Sequence, residues 1–232
     1  VYGPVSGYVP EDHFSGKELR KYDPFIQYGV VASREALKQS GLSPETVDAT
    51  RIGVAIGSGI GGLKSIEDNH VLAMKGGAKR ISPFFIPAAI VNMVSGIVSI
   101  DLGLRGPNYS VVSACATGTH NIGLAYRNIV YGDADVMLAG GSEAGSVILG
   151  VGGFAALRGL SSVEDPSQAC RPWDKARDGF VLSDGAGVMV LEEYEHARAR
   201  GVPILAEVVG FGMSADAFHI TQPGGSGAFD AM

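Results

Sequence analysis

The chain has 232 residues, 46% of them hydrophobic, 18% charged and 34 of them glycine, with a formal net charge of −6. That length and apolar content suffice for one large core or two smaller ones, and the acidic balance argues against nonspecific nucleic-acid binding. Two cysteines, Cys115 and Cys170, are too few and too plainly spaced for a disulfide framework or a metal site, so a reduced, cytoplasmic protein is expected. No apolar run reaches membrane-spanning length and no charged-then-apolar leader opens the chain. A start at Val1 and a stop at Met232 just after a glycine-rich loop are expected of a piece of something longer.

In chain order, Lys17, Arg20 and Lys21 have the i, i+3, i+4 spacing of one helical face. Asp23-Pro24 reads as an N-cap with proline at the first helical position, and Gly41 closes the same helix about five turns later. Residues 51–56 form a β-like run leading into Gly57-Ser58-Gly59-Ile60-Gly61-Gly62. This fits G-x-G-x-x-G, but the next convincing strand is too distant and no acidic residue is placed for a ribose, so a dinucleotide site is rejected. Lys79 and Arg80 form a second basic pair, and residues 87–100 read as a largely apolar, buried helix.

A short β-like run, 109–112, precedes Ser113-Ala114-Cys115-Ala116-Thr117-Gly118, and a long helical pattern begins near Thr117. A cysteine at such a strand-to-helix turn is held out beside free N–H groups and the positive end of the helix dipole. Thiolate is the nucleophilic form of cysteine, and the small neighbours leave room for a substrate carbonyl. Position and flanks favour a nucleophile over a buried structural cysteine.

Residues 136–139 read as a central parallel strand, followed by Gly140-Gly141-Ser142-Glu143-Ala144, either a ligand-binding turn or an ordinary one. Arg158 is a third isolated basic site. Arg171-Pro172-Trp173-Asp174 and Arg177-Asp178 suggest a buried ion-pair network shaping a loop, before Ser183-Asp184-Gly185-Ala186-Gly187 enters a strand at 188–191. A further strand is expected at 204–209, and His219 with Thr221 offers a candidate polar pair in a loop. The alternation of helices and strands argues for an α/β fold.

Together these motifs resemble the β-ketoacyl-[acyl-carrier-protein] synthases of the thiolase superfamily, in particular the bacterial fatty-acid elongating type. The resemblance runs through Gly57–Leu63, Ser82-Pro83-Phe84-Phe85, Leu104-Arg105-Gly106-Pro107, the Cys115 box, Gly140–Ala144, Arg171–Gly187 and Asp216–Pro223. It implies a thiolase-like layered α-β-α-β-α fold, with residues 1–203 as the nucleophile-bearing half and 204–232 as the beginning of the second half. An isolated half of that fold is expected to expose a large apolar face and to be poorly soluble.

The resemblance further implies a Cys115 acyl thioester, decarboxylation of malonyl-carrier protein and condensation to a chain two carbons longer. It places Ile60 on the acyl tunnel, Phe85 near the tunnel across a homodimer interface, and His219 and Thr221 at the substrate. It assigns Lys17, Arg20, Lys21, Lys79, Arg80 and Arg158 to docking of the acyl-carrier protein. No metal and no cofactor are implied beyond the phosphopantetheine that carries the substrates, and neither membrane nor nucleic acid is a partner. The family's two catalytic histidines, in His-Gly-Thr and Gly-His motifs, match none of His13, His70, His120, His196 or His219, so this stretch alone is expected not to complete condensation. Competing readings are a non-catalytic partner of the chain-length-factor type, a polyketide ketosynthase, and a cysteine hydrolase, the last lacking a suitably placed histidine.

Overall fold

The computed structural model describes residues 2–232. Its scaffold is a four-stranded sheet in the order β3 (Asn108–Tyr109), β2 (Ile52–Gly57), β4 (Val136–Glu143), β6 (Gly185–Glu192). A short parallel pair, β1 (Tyr2–Gly3) with β5 (Leu182–Ser183), closes the chain's first residues onto a later loop.

Helix α1 (Gly16–Leu19) is a single turn held by a capping box: the Glu18 N–H donates to Ser15 Oγ, and the Ser15 N–H to Glu18 Oε2 at 2.7 Å. It stops at Leu19, so Arg20 caps its end and Lys21 lies beyond. The expected helical face of Lys17, Arg20 and Lys21 is therefore not formed. Asp23 then starts α2 (Pro24–Ser40), its carboxylate accepting from the Phe25 N–H, and Gly41 ends it in the left-handed region at φ 67°. Both signals act within one turn of the chain, which is why the helix runs as expected.

Strand β2 (Ile52–Gly57) is wholly buried and lies parallel to both β3 (Asn108–Tyr109) and β4 (Val136–Glu143). Strand β6 (Gly185–Glu192) pairs antiparallel with β4, so 136–139 is central but parallel on one side only. The alternation of side chains across the sheet is unequal. Ile52, Val54, Ile56, Val136 and Leu138 face one way, onto Val30 of α2 and Val94 and Val98 of α5 (Met93–Leu102). The other face carries Ala55, Ala139 and Met137, packed on α6 (Thr117–Val130) through Ala125. The alanines at 55 and 139, facing Ala125, let α6 lie close to the sheet, while the opposite face carries large residues throughout.

Between β2 and β3 run α3 (Leu63–Gly76), α4 (Phe85–Ala89) and α5. The single buried helix expected at 87–100 is thus two helices, interrupted where Ile90 takes an extended ψ of 137°. Ile86 and Ile100 face solvent, so apolar content there does not mean burial within this chain.

After β4 come α7 (Ile148–Ala156) and α8 (Pro166–Ala169), then the loop to β5. That loop is exposed and not the ion-pair network expected: Asp178 accepts from the Ser161 and Ser162 hydroxyls and the Ser162 N–H, while Arg177 bonds the Asp174 carbonyl. These donors hold the Asp178 carboxyl well down, at about 2. Exposed arginines gain little by burying charge when water already solvates them.

Helix α9 (Tyr194–Arg200) returns beside β6. Arg200 binds Glu192 through two nitrogens, at 2.8 and 2.9 Å, His196 Nδ1 lies 2.5 Å from the same carboxylate, and Arg200 also donates to the Ser40 carbonyl at the end of α2. The run at 204–209 forms no strand, and Leu205 and Val209 are more than four-fifths exposed. An apolar run becomes a strand only where another strand takes its backbone hydrogen bonds, and none does here. A short α10 (Gly227–Ala231) ends the described chain. Helix α7, apolar nearly all round, leaves Ile148 and Leu149 exposed, in keeping with the open apolar face expected of half a fold.

Candidate active site

Cys115 sits in a 3₁₀ turn, Ala114–Ala116, immediately before α6, so the thiol lies at a helix N-terminus as its sequence position implied. Three side chains fasten this turn. Asn121, fully buried on α6, accepts from the Val111 N–H at 3.0 Å and donates to the Val111 and Thr117 carbonyls. The Ser113 N–H donates to Thr117 Oγ1 at 2.9 Å, and Ser113 Oγ lies 2.6 Å from His120 Nδ1. Within these fastenings Ala114 adopts φ 50°, a left-handed conformation that costs a non-glycine residue roughly 1 kcal/mol or more. Strain of this kind persists only where surrounding contacts hold it, and here it directly precedes the exposed thiol.

The thiol opens on a cleft of about 350 Å³. One wall is the turn with Thr117 and Gly118, a second is Gly57-Ser58-Gly59 from the end of β2, and the rest comes from Gly141–Glu143 and Gly185–Gly187 at the paired ends of β4 and β6. Both glycine-rich motifs thus reach the cysteine. Gly140–Glu143 is not a turn after the strand but its continuation, antiparallel to Gly185–Val188. The close approach demands it: a Cβ on Gly140 would strike the Gly187 carbonyl oxygen, and one on Gly57 would lie 2.5–2.6 Å from Thr117, the Val111 carbonyl and Asn121.

Glu143 is the residue that sequence reasoning missed. Its side chain leaves β4 on the α6 side and reaches the G-x-G-x-x-G turn, where it accepts from Ser58 Oγ and the Gly59 N–H at 2.7 Å and from the Ile60 N–H at 3.2 Å. The backbone donors that such a turn would offer a phosphate are taken by the protein's own carboxylate, which supports rejecting a dinucleotide. No local signal reveals this, since the partners are 83–85 residues apart.

Of the other expected site residues, Ile60 is exposed next to Gly59 at the rim, and Phe85 is half-buried at the start of α4. Neither lines the cleft, nor do His219 and Thr221, which lie exposed in the loop before α10. There His219 Nδ1 accepts from the Thr221 and Gln222 N–H groups, a local turn interaction. All six basic residues are exposed. The Lys21 ammonium stands 5.4 Å from the Phe84 ring centre and, with Ile26, Pro87 and Ile97, lines a second cleft of about 260 Å³. Lys79 and Arg80 form a 3₁₀ turn after α3, and Arg158 follows α7 at φ 53°.

Among the described residues no helix is long and apolar enough to cross a membrane, and no three His, Cys, Asp or Glu side chains converge as a metal site.

Residues 8–197 match the family described as Beta-ketoacyl synthase, N-terminal domain. The chain belongs to the beta-ketoacyl synthase family. Among curated relatives of this chain, the 3-oxoacyl-[acyl-carrier-protein] synthase 2 of Vibrio cholerae is 57% identical over 99% of the chain and 56% of the relative. That of Staphylococcus aureus is 49% identical over 99% of the chain and 58% of the relative. The chain therefore spans little more than half the length of these relatives.

Solved structures agree on the fold. A beta-ketoacyl synthase from Burkholderia phymatum superposes with TM-score 0.86 at 36% identity, covering 96% of this chain and 55% of that one. A ketosynthase solved with its type II PKS acyl-carrier protein superposes with TM-score 0.82 at 33% identity, covering 87% and 51%. The α/β fold of this chain is thus the thiolase-like one, with α2 and α5 on one face of the sheet and α6 on the other.

Proposed function

We propose that this chain is the nucleophile-bearing part of a condensing enzyme of fatty-acid elongation. The observation that carries the reading is Cys115, exposed at the N-terminus of α6 and opening on a glycine-walled cleft. Relatives at 49–57% identity named 3-oxoacyl-[acyl-carrier-protein] synthase 2 support the same chemistry.

In this reading the Cys115 thiolate attacks the thioester carbonyl of an acyl chain carried on phosphopantetheine. The carrier's C–S bond breaks, its thiol leaves with a proton, and the acyl group remains on Cys115. Malonyl-carrier protein then binds and loses carbon dioxide, and the carbanion attacks the Cys115 thioester, releasing the cysteine and forming a product two carbons longer. The Cys115 N–H would serve as one donor to the oxyanion of each tetrahedral intermediate. The small walls leave room for the acyl thioester.

Docking of an acidic carrier protein on Lys17, Arg20, Lys21, Lys79, Arg80 and Arg158 is part of the proposal, supported by their exposure and by the neighbour solved with its carrier protein. So are a homodimer with Phe85 near the tunnel of its partner, Ile60 on that tunnel, His219 and Thr221 at the substrate, a cytoplasmic location, and the division at 203/204. No cofactor is needed beyond the carrier's phosphopantetheine. Cys115, at the place a chain-length-factor subunit lacks it, argues against the non-catalytic reading.

The test is mass spectrometry of the whole protein incubated with acyl-carrier protein loaded with an acyl thioester. An acyl adduct on Cys115, absent from Cys115→Ala and chased by malonyl-carrier protein into a product two carbons longer, is expected. An adduct that survives the substitution would refute the assignment, and hydrolysis without extension would identify a thioesterase instead.

A further inference from the structure

His120 has no place in the family's histidine motifs, yet it is the imidazole built into the Cys115 turn. It stands on α6, part-buried, with Nδ1 2.6 Å from Ser113 Oγ. Ser113 is the residue before Ala114, the one held at φ 50°, and Ala114 is followed by the thiol. On its other side the imidazole meets Phe211 edge-on, with ring centres 6.1 Å apart. Phe211 is itself fixed: its ring occupies the space a side chain on Gly123 would fill, and the Arg127 guanidinium stacks over it at 5.3 Å. The irregular segment after α9 is therefore pinned to α6 at one point, and that point touches His120.

We infer that His120 is a positioning residue, which through its hydrogen bond to Ser113 keeps the strained turn in the form that presents Cys115 to the cleft, and through Phe211 makes that form depend on the segment after α9. The Thr117 hydroxyl bonds only the Ser113 backbone, and Asn121 grips Val111, two residues further back. Among the described residues the bond to His120 is the one hydrogen bond of the Ser113 side chain, the last fastening before Ala114. Without it Ala114 can relax out of the left-handed region, turning the thiol away from the helix terminus. The inference deepens the condensing reading and rests on it for the acyl-transfer readout alone.

The test measures two rates on the whole protein: alkylation of Cys115 by iodoacetamide, with the adduct located by peptide mass so that Cys170 does not count, and acylation by a saturating concentration of acyl-carrier protein loaded with an acyl thioester. His120→Ala and Ser113→Ala should each slow both rates about tenfold, and the double variant should be no slower than either, the signature of two residues acting through one contact. His120→Asn, whose amide overlies Nδ1, should recover most of the rate. His120→Gln, whose amide overlies Nε2, should not. The carrier-protein KM should stay unchanged while the maximal rate falls. Wild-type or faster alkylation in His120→Ala, additive effects in the double variant, or equal recovery by Gln and Asn would overturn the inference. Should His120→Ala fail to fold, Ser113→Ala decides the matter by the same rates. If the native protein alkylates at Cys115 but takes no acyl group, the condensing reading fails while alkylation still decides the role of His120.

Discussion

The Glu143 carboxylate accepts the Gly59 N–H at 2.7 Å, so the glycine turn after β2 closes on an anion supplied by β4. Ser58, whose hydroxyl bonds the same carboxylate, is almost wholly buried. Removing the acceptor in Glu143→Ala leaves these donors without it, at a cost of about 2 kcal/mol, while Glu143→Gln keeps one oxygen and costs about half as much. Denaturant unfolding measures both. Titration of the native protein with a dinucleotide should give no thermal shift, because the donors are already engaged.

The approach of β4 to β6 at Gly140 yields a second expectation. A methyl group there would run into the Gly187 carbonyl oxygen, backbone that cannot swing aside. Gly140→Ala should destabilise by about 1–3 kcal/mol or more and slow Cys115 acylation, since the cleft lies at the ends of these strands. Gly16→Ala, where a Cβ would meet nothing within 4 Å, is the matched control and should change unfolding little.

Glu192 contributes to the acid limb of stability. Burial pushes its pKa up, but the hydrogen bonds from Arg200 and His196 outweigh this and hold it below the ordinary glutamate range. A carboxylate lowered in the folded state stabilises the fold above its unfolded pKa, and that contribution disappears as pH falls through the lowered value. Glu192→Gln should therefore cost about 1–3 kcal/mol near neutral pH, where it strands a part-buried Arg200, and should lose less on acidification than the native chain. Chemical denaturation between neutral pH and the lower carboxylate range checks both statements.

Carrier docking is testable through charge. Lys17→Glu and Lys21→Glu together should raise KM for acyl-carrier protein about tenfold at low ionic strength and leave a small acyl thioester unaffected. Raising the salt concentration should shrink the difference, because exposed charges are screened beyond about 8–10 Å. An equal effect on both substrates would point to damage at Cys115 rather than to docking.

What could be read from the sequence follows the range of the forces involved. Helix α2 announces itself because Asp23, Pro24 and Gly41 act within a turn of its ends. The helix side of the cysteine turn is legible for the same reason, but the β-like run expected at 109–112 is not formed: β3 ends at Tyr109, where its pairing with β2 stops, and residues 110–113 reach the turn as irregular chain. The break at Ile90 escapes, as apolar residues continue across it and periodicity cannot separate one helix from two. The strand expected at 204–209 fails because a strand is a property of pairs, and composition describes only one member. Glu143 and the Asp178 loop depend on partners far away or on solvent exposure, neither of which is written locally.

Six of the residues walling the cleft at Cys115, namely Gly57, Gly59, Gly118, Gly141, Gly185 and Gly187, contribute no side chain to swing or retract. At those six positions there are no rotamers to exchange, so that part of the wall moves only with the backbone that carries it. Mutation at those six positions can only add atoms and make the space narrower. Any widening of the space beside the thiol must then come from the side chains that share these walls, Ser58, Thr117, Ser142 and Glu143.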